Sequence, residues 1–378
     1  MRAVVVGGSI AGLSAAHVLQ RLGIEALVLE KTAGAMQDRG AGLGIELPLL
    51  GAVLGREPGE EFPHIKLRGR AVHGGRPGPG GPVIEPGQIR VTTWQHLHST
   101  LRHGLVVPVN PDTEVRGISR GQKGWEVLTH RGASHSADLV IAADGHRSVL
   151  RAHVDATAKA RYGGYLLWRG LVAADALDDE VRAQFMDGHL HLYPQQGHHF
   201  VAYEVPPASV GGVRRLNWGW YTAMEKSALD ALIQRAGMAN DTLVVPPTRL
   251  AAPDRDAVVA RAAAVWPSPW AKLVASTSAS TGLFVNAIHE FVAAEVAREP
   301  VVLLGDAAHL LSPITGAGAA MAMRDALLLE RALVAGASVG GPPWTAASAL
   351  DEGRDAAMAA QRQSARWASA MLGVVASD

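Results

Sequence analysis

The stretch Val4-Val5-Val6-Gly7-Gly8-Ser9-Ile10-Ala11-Gly12-Leu13 decides the fold. An apolar run stops at two glycines, and an amphipathic pattern continues through Leu19, Leu22 and Ile24. The reading is strand, tight turn, helix over 10–22. A second apolar run, Ala26-Leu27-Val28-Leu29-Glu30, completes a β-α-β opening. The glycines stand where a dinucleotide fingerprint requires them. Gly7 permits the turn, Ser9 is a small residue facing a pyrophosphate, and Gly12 lets the helix pack on the sheet. The helix N-terminus offers free N–H groups to phosphates. Glu30 ends the second strand, where a carboxylate can accept from a ribose hydroxyl. One basic residue before an apolar run could pass for a leader peptide, but the glycines break the run early.

Working outward, the 378 residues suffice for a large α/β unit with an insertion. Lys plus Arg and Asp plus Glu are 35 each, which gives no electrostatic argument for nucleic acid or stable membrane association. The chain has no cysteine. Disulfides, thiolate metal sites and cysteine nucleophiles are excluded, and a cytoplasmic setting is expected. No stretch approaches the ~20 apolar residues of a membrane span. No His/Glu cluster has metal spacing, so no metal is expected.

Further along, Gly and Pro crowd 71–88, which reads as a surface excursion. Helices are predicted over 94–104, 226–237, 254–275, 318–335 and 343–372. The alternation in 160–224 predicts a half-buried antiparallel sheet, with a turn at His198-His199.

A second glycine motif follows the apolar run Val301-Val302-Leu303-Leu304: Gly305-Asp306-Ala307-Ala308-His309-Leu310-Leu311-Ser312-Pro313-Ile314-Thr315-Gly316-Ala317-Gly318. An acid at a strand end can bind the hydroxyls of a ribityl chain. Gly316 and Gly318 open a helix whose N–H groups suit the electron-rich edge of a flavin. Pro313 removes a donor and stiffens the loop. The dinucleotide is therefore expected to be FAD. A third motif, Asp144-Gly145-His146-Arg147-Ser148-Val149-Leu150-Arg151, is by itself a common turn.

Taken together, the three motifs resemble those of the single-component FAD-dependent aromatic hydroxylases of the para-hydroxybenzoate hydroxylase type. The likeness is strongest to the 2,6-dihydroxypyridine hydroxylase subgroup. Thr93-Trp94, Tyr165-Leu166-Leu167-Trp168-Arg169-Gly170, Asn217-Trp218-Gly219-Trp220-Tyr221 and Phe284-Val285-Asn286-Ala287-Ile288 add to it. The chain departs from the pattern at Ala320, where many members have Asn, and at Trp94, where many have Arg.

The resemblance implies an α/β fold: a Rossmann-like, glutathione-reductase-like FAD-binding domain with an inserted, mostly antiparallel substrate sheet and a C-terminal helix. The expected FAD-binding domain is 1–70, 90–155 and 281–378, and the substrate domain is 71–89 and 156–280. FAD would be held by Gly7, Gly8, Ser9, Ile10, Ala11, Gly12, Glu30, Lys31, Arg39, Asp144, Asp306, Gly316, Ala317, Gly318 and Ala319. The implied reaction uses NAD(P)H as a transient co-substrate, O2 and a C4a-hydroperoxyflavin to place one oxygen on a small aromatic or N-heteroaromatic ring. The glycine-bearing stretch Val334 to Gly341 follows a helix and reads as a linker, so no second nucleotide domain is expected. A monomer or homodimer is expected.

The catalytic candidates are His309, Pro313, Arg169 and Tyr165. His309 could order its loop or move a proton at the flavin edge. Arg169, amid apolar neighbours, needs a carboxylate partner or reaches toward flavin or nicotinamide. Substrate candidates are Trp168, His189, His191, Tyr203, Trp218 and Trp220, which stack on a ring or simply form core. Other chemistries of the same fold remain alternatives: an epoxidase, a Baeyer–Villiger-type oxygenase, a halogenase or a non-catalytic FAD binder. The halogenase signature Trp-x-Trp-x-Ile is absent, because Tyr221-Thr222 follows Trp220.

Overall fold

The structure is a computed structural model that describes residues 1–34, 41–74, 81–122, 124–279, 282–338 and 348–374. Arg39 lies outside the described residues.

The first part runs β1 (Arg2–Val6), α1 (Ile10–Arg21), β2 (Glu25–Leu29), β3 (Gly42–Gly44), α2 (Leu47–Leu54), β4 (Ile65–Val72), β5 (Val83–Thr93) and α3 (Trp94–Arg102). Next come β6 (Val109–Asn110), β7 (Val115–Gly121), β8 (Gly124–Thr129), β9 (Ser134–Ala137), β10 (Leu139–Ala142) and α4 (Arg151–Val154). The middle holds β11 (Arg161–Ala173), α5 (Asp179–Phe185), β12 (Leu190–Gln195), β13 (His198–Val205), β14 (Arg215–Ala223), α6 (Lys226–Arg235), β15 (Val244–Val245), α7 (Ala252–Val265) and α8 (Ser268–Ala279). The chain closes with β16 (Phe284–Val292), β17 (Ala297–Arg298), β18 (Val301–Leu303), β19 (His309–Leu310), α9 (Gly318–Ser338) and α10 (Ser348–Leu372).

The first sheet has the order β17-β18-β10-β1-β2-β6, parallel except for β17. Its central strands are mostly apolar, β18 buried at every position and β1 at all but Arg2, and the core they share includes Val115, Val127 and Ala137 of β7, β8 and β9. β10 is buried at all four positions, and α1 and α9 pack into the same core. A three-stranded meander, β7-β8-β9, flanks it.

The second sheet runs β15-β16-β11-β14-β13-β12-β4-β5-β3 and is antiparallel except where β12 meets β4. It reaches past 71–89 and 156–280: β4 begins at Ile65, and β16 ends at Val292. This is the predicted fold class, a dinucleotide-type parallel sheet with an inserted antiparallel sheet and a C-terminal helix.

Three local expectations change. Val83 to Gln88 lie exposed at the surface as expected, but as the first part of β5, because β4 supplies a pairing edge. His198 and His199 lie in β13; the turn is Gln196-Gly197, with Gly197 at φ +80°. Glycine takes this left-handed backbone without a Cβ penalty. The helix expected over 254–275 is two helices. Trp266, before Pro267, is extended (φ −109°, ψ 148°), as steric conflict with the proline ring favours. Residues 343–347 of the last expected helix lie outside the described residues, and from Ser348 to Leu372 the helix is present.

Candidate active site

Three loops meet at the C-terminal edge of the parallel sheet. Gly7 has φ +105°, and a Cβ there would collide with the Ala143 carbonyl just before Asp144. A Cβ on Gly12 would collide with the carbonyl of Gly7, so α1 can start this close to the turn only with glycine. Gly305, at φ +57°, faces the Cβ of Ala11. The backbone N–H of Leu304 donates to the carbonyl of Ala142 (2.9 Å).

The chemistry of this edge fits FAD. The Ser9 hydroxyl makes no capping bond to α1, so the N-terminal N–H groups of this helix remain open to a pyrophosphate. Ile10 and Ala11 occupy its first turn, buried. Glu30 is buried and accepts from Gly8 N and Thr32 N, both at 2.7 Å. Each oxygen keeps a second acceptor position for a ribose hydroxyl. Lys31 follows it, exposed. Asp144 Oδ2 accepts from Val149 N (2.9 Å), while its buried Oδ1 has no partner among the described residues. Burial pushes this carboxyl up, against the bonds from Ser148 and Val149. Asp306 is exposed at the end of β18, where a ribityl chain would lie along it. Gly316 (φ +63°) and Ala317 lead into α9, which begins at Gly318 and Ala319.

Two further residues in this region were not named as site candidates, although Arg151 closes the third motif. Arg151 donates to the carbonyls of Ala307 (3.3 Å) and His146 (2.6 Å), tying the second and third loops together. His98 Nε2 lies 3.0 Å from the carbonyl of Gly8 and its ring stacks on Trp94. The i,i+4 spacing of Trp94 and His98 was the only hint of the pair.

His309 is 3% exposed and bonds Asp325 Oδ2 at 2.8 Å; the same oxygen accepts from Gly305 N (2.8 Å). Burial opposes protonation, but the Asp325 charge and hydrogen bond outweigh it and hold the imidazole above its ordinary value. The ring is therefore a buried clamp on the loop. Pro313 opens a single turn, 313–315, whose N-cap is Ser312. Tyr165 donates to Ser312 Oγ (2.7 Å), and burial pushes its phenol up to about 12. Ser312 N and Ser364 Oγ of α10 both donate to Glu290 Oε1, at 3.0 and 2.7 Å. Glu290 and Ser364 carry no signal in the sequence because they meet only through the fold.

The second sheet has two unlike faces. One is sealed by α5, α6, α7 and α8 and holds Trp168, Phe200, Ala202, Trp218, Trp220, Trp266 and Trp270 in one core cluster. Trp218 Nε1 donates to Thr277 of α8 (2.8 Å), and Trp220 is fully buried. His191, 1% exposed, lies on this side, edge-on to Phe185. Asp187 accepts from His191 Nε2 (2.9 Å) and His189 Nδ1 (3.0 Å). The expectation of substrate contacts from Trp168, Trp218, Trp220 and His191 is therefore corrected, because strand alternation turns them to the helix-covered face. His189 precedes β12 and is tied to Asp187.

The opposite face looks toward β3, α10 and the 312–316 loop. Direct cross-strand pairing puts His199, Tyr221, Leu167 and Asn286 in one row and Val201, Gly219, Arg169 and Phe284 in the next. Tyr203 and Asn217 form a third row. At one end Gly42 N donates to Asn217 Oδ1 (2.8 Å), and Arg169 donates to the Gly42 carbonyl (3.3 Å). At the other end Trp367 of α10 lies edge-on to Tyr165, Tyr221 and His199. Burial pushes Tyr203 up to about 12, partly offset by the Arg169 charge. His199 Nδ1 and Asn286 Oδ1 are buried without partners among the described residues. Arg169 has no carboxylate partner among them either. Of the expected site residues, this face brings together Tyr165, Arg169 and Tyr203.

A family described as FAD binding domain-like matches residues 162–290. The 2,6-dihydroxypyridine 3-monooxygenase of Paenarthrobacter nicotinovorans is 27% identical over 337 residues, 87% of this chain and 81% of that protein. The 2-heptyl-3-hydroxy-4(1H)-quinolone synthase of Pseudomonas aeruginosa is 29% identical over 344 residues, 88% of this chain and 80% of the relative. The solved 2,6-dihydroxypyridine-3-hydroxylase from Arthrobacter nicotinovorans superimposes with a TM-score of 0.87 at 23% identity, over 98% of this chain and 92% of that one. The relatives of this chain in sequence and its neighbours in structure are FAD-dependent aromatic hydroxylases, whose fold and FAD-binding domain it shares.

Proposed function

We propose that this protein is an NAD(P)H- and O2-dependent FAD monooxygenase that hydroxylates a small phenolic or N-heteroaromatic ring. One observation carries the reading. The three glycine loops converge at the edge of the parallel sheet, and the loop after Asp306 is tied through Ser312 to Tyr165 on the sheet face that also bears Arg169 and Tyr203. The activities named for the relatives, on a pyridine and a quinolone, support the same class of ring.

Bound FAD, once reduced by NAD(P)H, supplies the activated oxygen. The chain's own residues hold and shield it. Gly7 to Gly12 and Glu30 would hold the pyrophosphate and ribose, Asp144 and Asp306 the sugar hydroxyls, and the N-terminus of α9 the electron-rich ring edge. His309 and Asp325 fix the loop that carries Pro313. Leu167, Val201 and Ile314 keep water from the reacting centre. We also propose that the second sheet forms the substrate unit, that the protein acts as a monomer or homodimer, and that it works in the cytoplasm.

The test is purification with added FAD, followed by NAD(P)H oxidation against a panel of phenols, pyridinols and quinolones. The expected result is a yellow protein, oxidation stimulated by a ring, and a product heavier by one oxygen on an aromatic carbon. A colourless protein that FAD cannot reconstitute would sink the reading. An oxygen placed elsewhere in the product would favour an epoxidase or a Baeyer–Villiger-type oxygenase.

A further inference from the structure

Gly8, the second glycine of the phosphate loop, is held on both sides. Its N–H donates to Glu30 Oε2 (2.7 Å), and its carbonyl accepts from His98 Nε2 (3.0 Å). The two holders come from different elements, Glu30 from just after β2 and His98 from α3. A carbonyl can only accept, so Nε2 carries the proton. The Gly8–Ser9 peptide is trans, which puts the Gly8 carbonyl and the Ser9 N–H on opposite sides of the chain. With the carbonyl fixed on α3, the Ser9 N–H is turned away from that helix. It joins the open N–H groups at the start of α1, where Ser9 is the N-cap and makes no side-chain capping bond.

The imidazole is itself held. Its ring lies on the Trp94 indole, 4.7 Å between ring centres and 15° from parallel. One helical turn separates the two residues, so the stack forms on a single face of α3. The start of α3 is fixed by Trp94 N, which donates to the Ala41 carbonyl (3.0 Å), and by the Thr93 hydroxyl, which accepts from His96 N (3.3 Å). Its last turn is fixed on α1, because His17 Nε2 donates to the Leu101 carbonyl (2.7 Å). Each of the two helices thus gives a histidine to the other. His17 of α1 grips the end of α3, and His98 of α3 grips the loop that starts α1. Trp94 is also a position at which the chain departs from the family pattern.

We propose that Trp94 and His98 are a positioning pair for the pyrophosphate of FAD. The indole holds the imidazole, the imidazole holds the Gly8 carbonyl, and the Ser9 N–H is thereby kept open to the phosphates. Without these partners the peptide after Gly8 could turn over, because glycine tolerates both signs of φ. A donor already set for its anion is not reorganised on binding, and affinity gains accordingly. The inference rests on the reading of Gly7 to Gly12 as the phosphate loop and is independent of the ring chemistry.

The test is FAD titration of the full chain by flavin fluorescence, together with phosphorus NMR of the FAD-loaded protein. His98→Leu removes the donor and should weaken FAD roughly three- to tenfold, the range of one hydrogen bond. His98→Gln places an N–H near where Nε2 stood and should recover to within about twofold. Trp94→Leu should lose part of the same factor, and Trp94→Phe, which keeps a ring under the imidazole, less. The double variant Trp94→Leu, His98→Leu should bind FAD no worse than His98→Leu alone, because the indole acts through the imidazole. The pyrophosphate resonances of bound FAD should move in His98→Leu and return in His98→Gln. The proposal is overturned if His98→Leu binds FAD as the unaltered protein does, if His98→Gln is as weak as His98→Leu, or if the two losses add in the double variant. Should His98→Leu fail to fold, Trp94→Leu decides: resonances that stay where they are in the unaltered protein overturn the pair. Failure of the FAD reading itself looks different, since the unaltered protein would then take up no FAD.

Discussion

Nε2 of His309 and Oδ2 of Asp325 are 2.8 Å apart, with side chains only 3% and 7% exposed. Because the histidine is held above its ordinary value of about 6.5, the pair contributes stability that is fully present below that pH. The contribution is lost as pH rises through the raised value. Thermal midpoints measured across this range should therefore fall, and His309→Asn should flatten the slope. Asp325→Ala leaves both a buried imidazolium and Gly305 N without an acceptor, and should cost about 3–5 kcal/mol in urea unfolding.

Glu30 accepts two backbone N–H bonds at the phosphate loop. Glu30→Ala leaves Gly8 N and Thr32 N without their acceptor and should weaken FAD binding at least about tenfold, because bonds to a charged group contribute about 1.5–3 kcal/mol each. Glu30→Gln keeps a single acceptor and should fall between. FAD titration by fluorescence quenching reads both, and equal affinity of all three proteins would remove Glu30 from the site.

Trp218 illustrates the two-faced sheet. Trp218→Ala should cost about 3–5 kcal/mol, as large-to-small changes in a sealed core do. Ring affinity in the fraction still folded should stay within about twofold. Urea midpoints and ring titrations are the measurements. Weakened ring binding at an unchanged midpoint would put Trp218 back in the substrate site.

Glu290 is pushed up by burial, against the hydrogen bonds from Ser364 and Ser312. For a carboxyl raised in the folded state, stability is fully present below the unfolded value of about 4.3 and is lost as pH rises through the folded value. Glu290→Gln keeps the accepting oxygen and removes the ionisation, so its thermal midpoint at neutral pH should equal or exceed that of the unaltered protein. Ser364→Ala has no such gain and should lose about 1–3 kcal/mol.

Much of the nucleotide half is legible in the sequence. Gly7, Asp144, Asp306 and Gly316 lie in loops beside apolar strands, and Gly12 and Gly318 lie in the first turns of the helices that follow. Position-by-position reasoning suffices when a motif's partner is a helix terminus or a strand end a few residues away. The second sheet is not legible in this way. The aromatic residues Trp168, Trp218 and Trp220 suggest a ring-binding surface, yet each sits on the helix-covered side.

The sequence by itself determined the phosphate-binding turn, the second glycine loop and the antiparallel insertion, because each is written in residues close along the chain. Only the tertiary structure decided which face of the insertion meets that nucleotide edge. Side chains alternate with a period of two, so one face of a strand looks as apolar as the other until its neighbours are known. Glu290, shared by Ser312 and Ser364, meets its partners only once strands and helices distant in sequence are brought together.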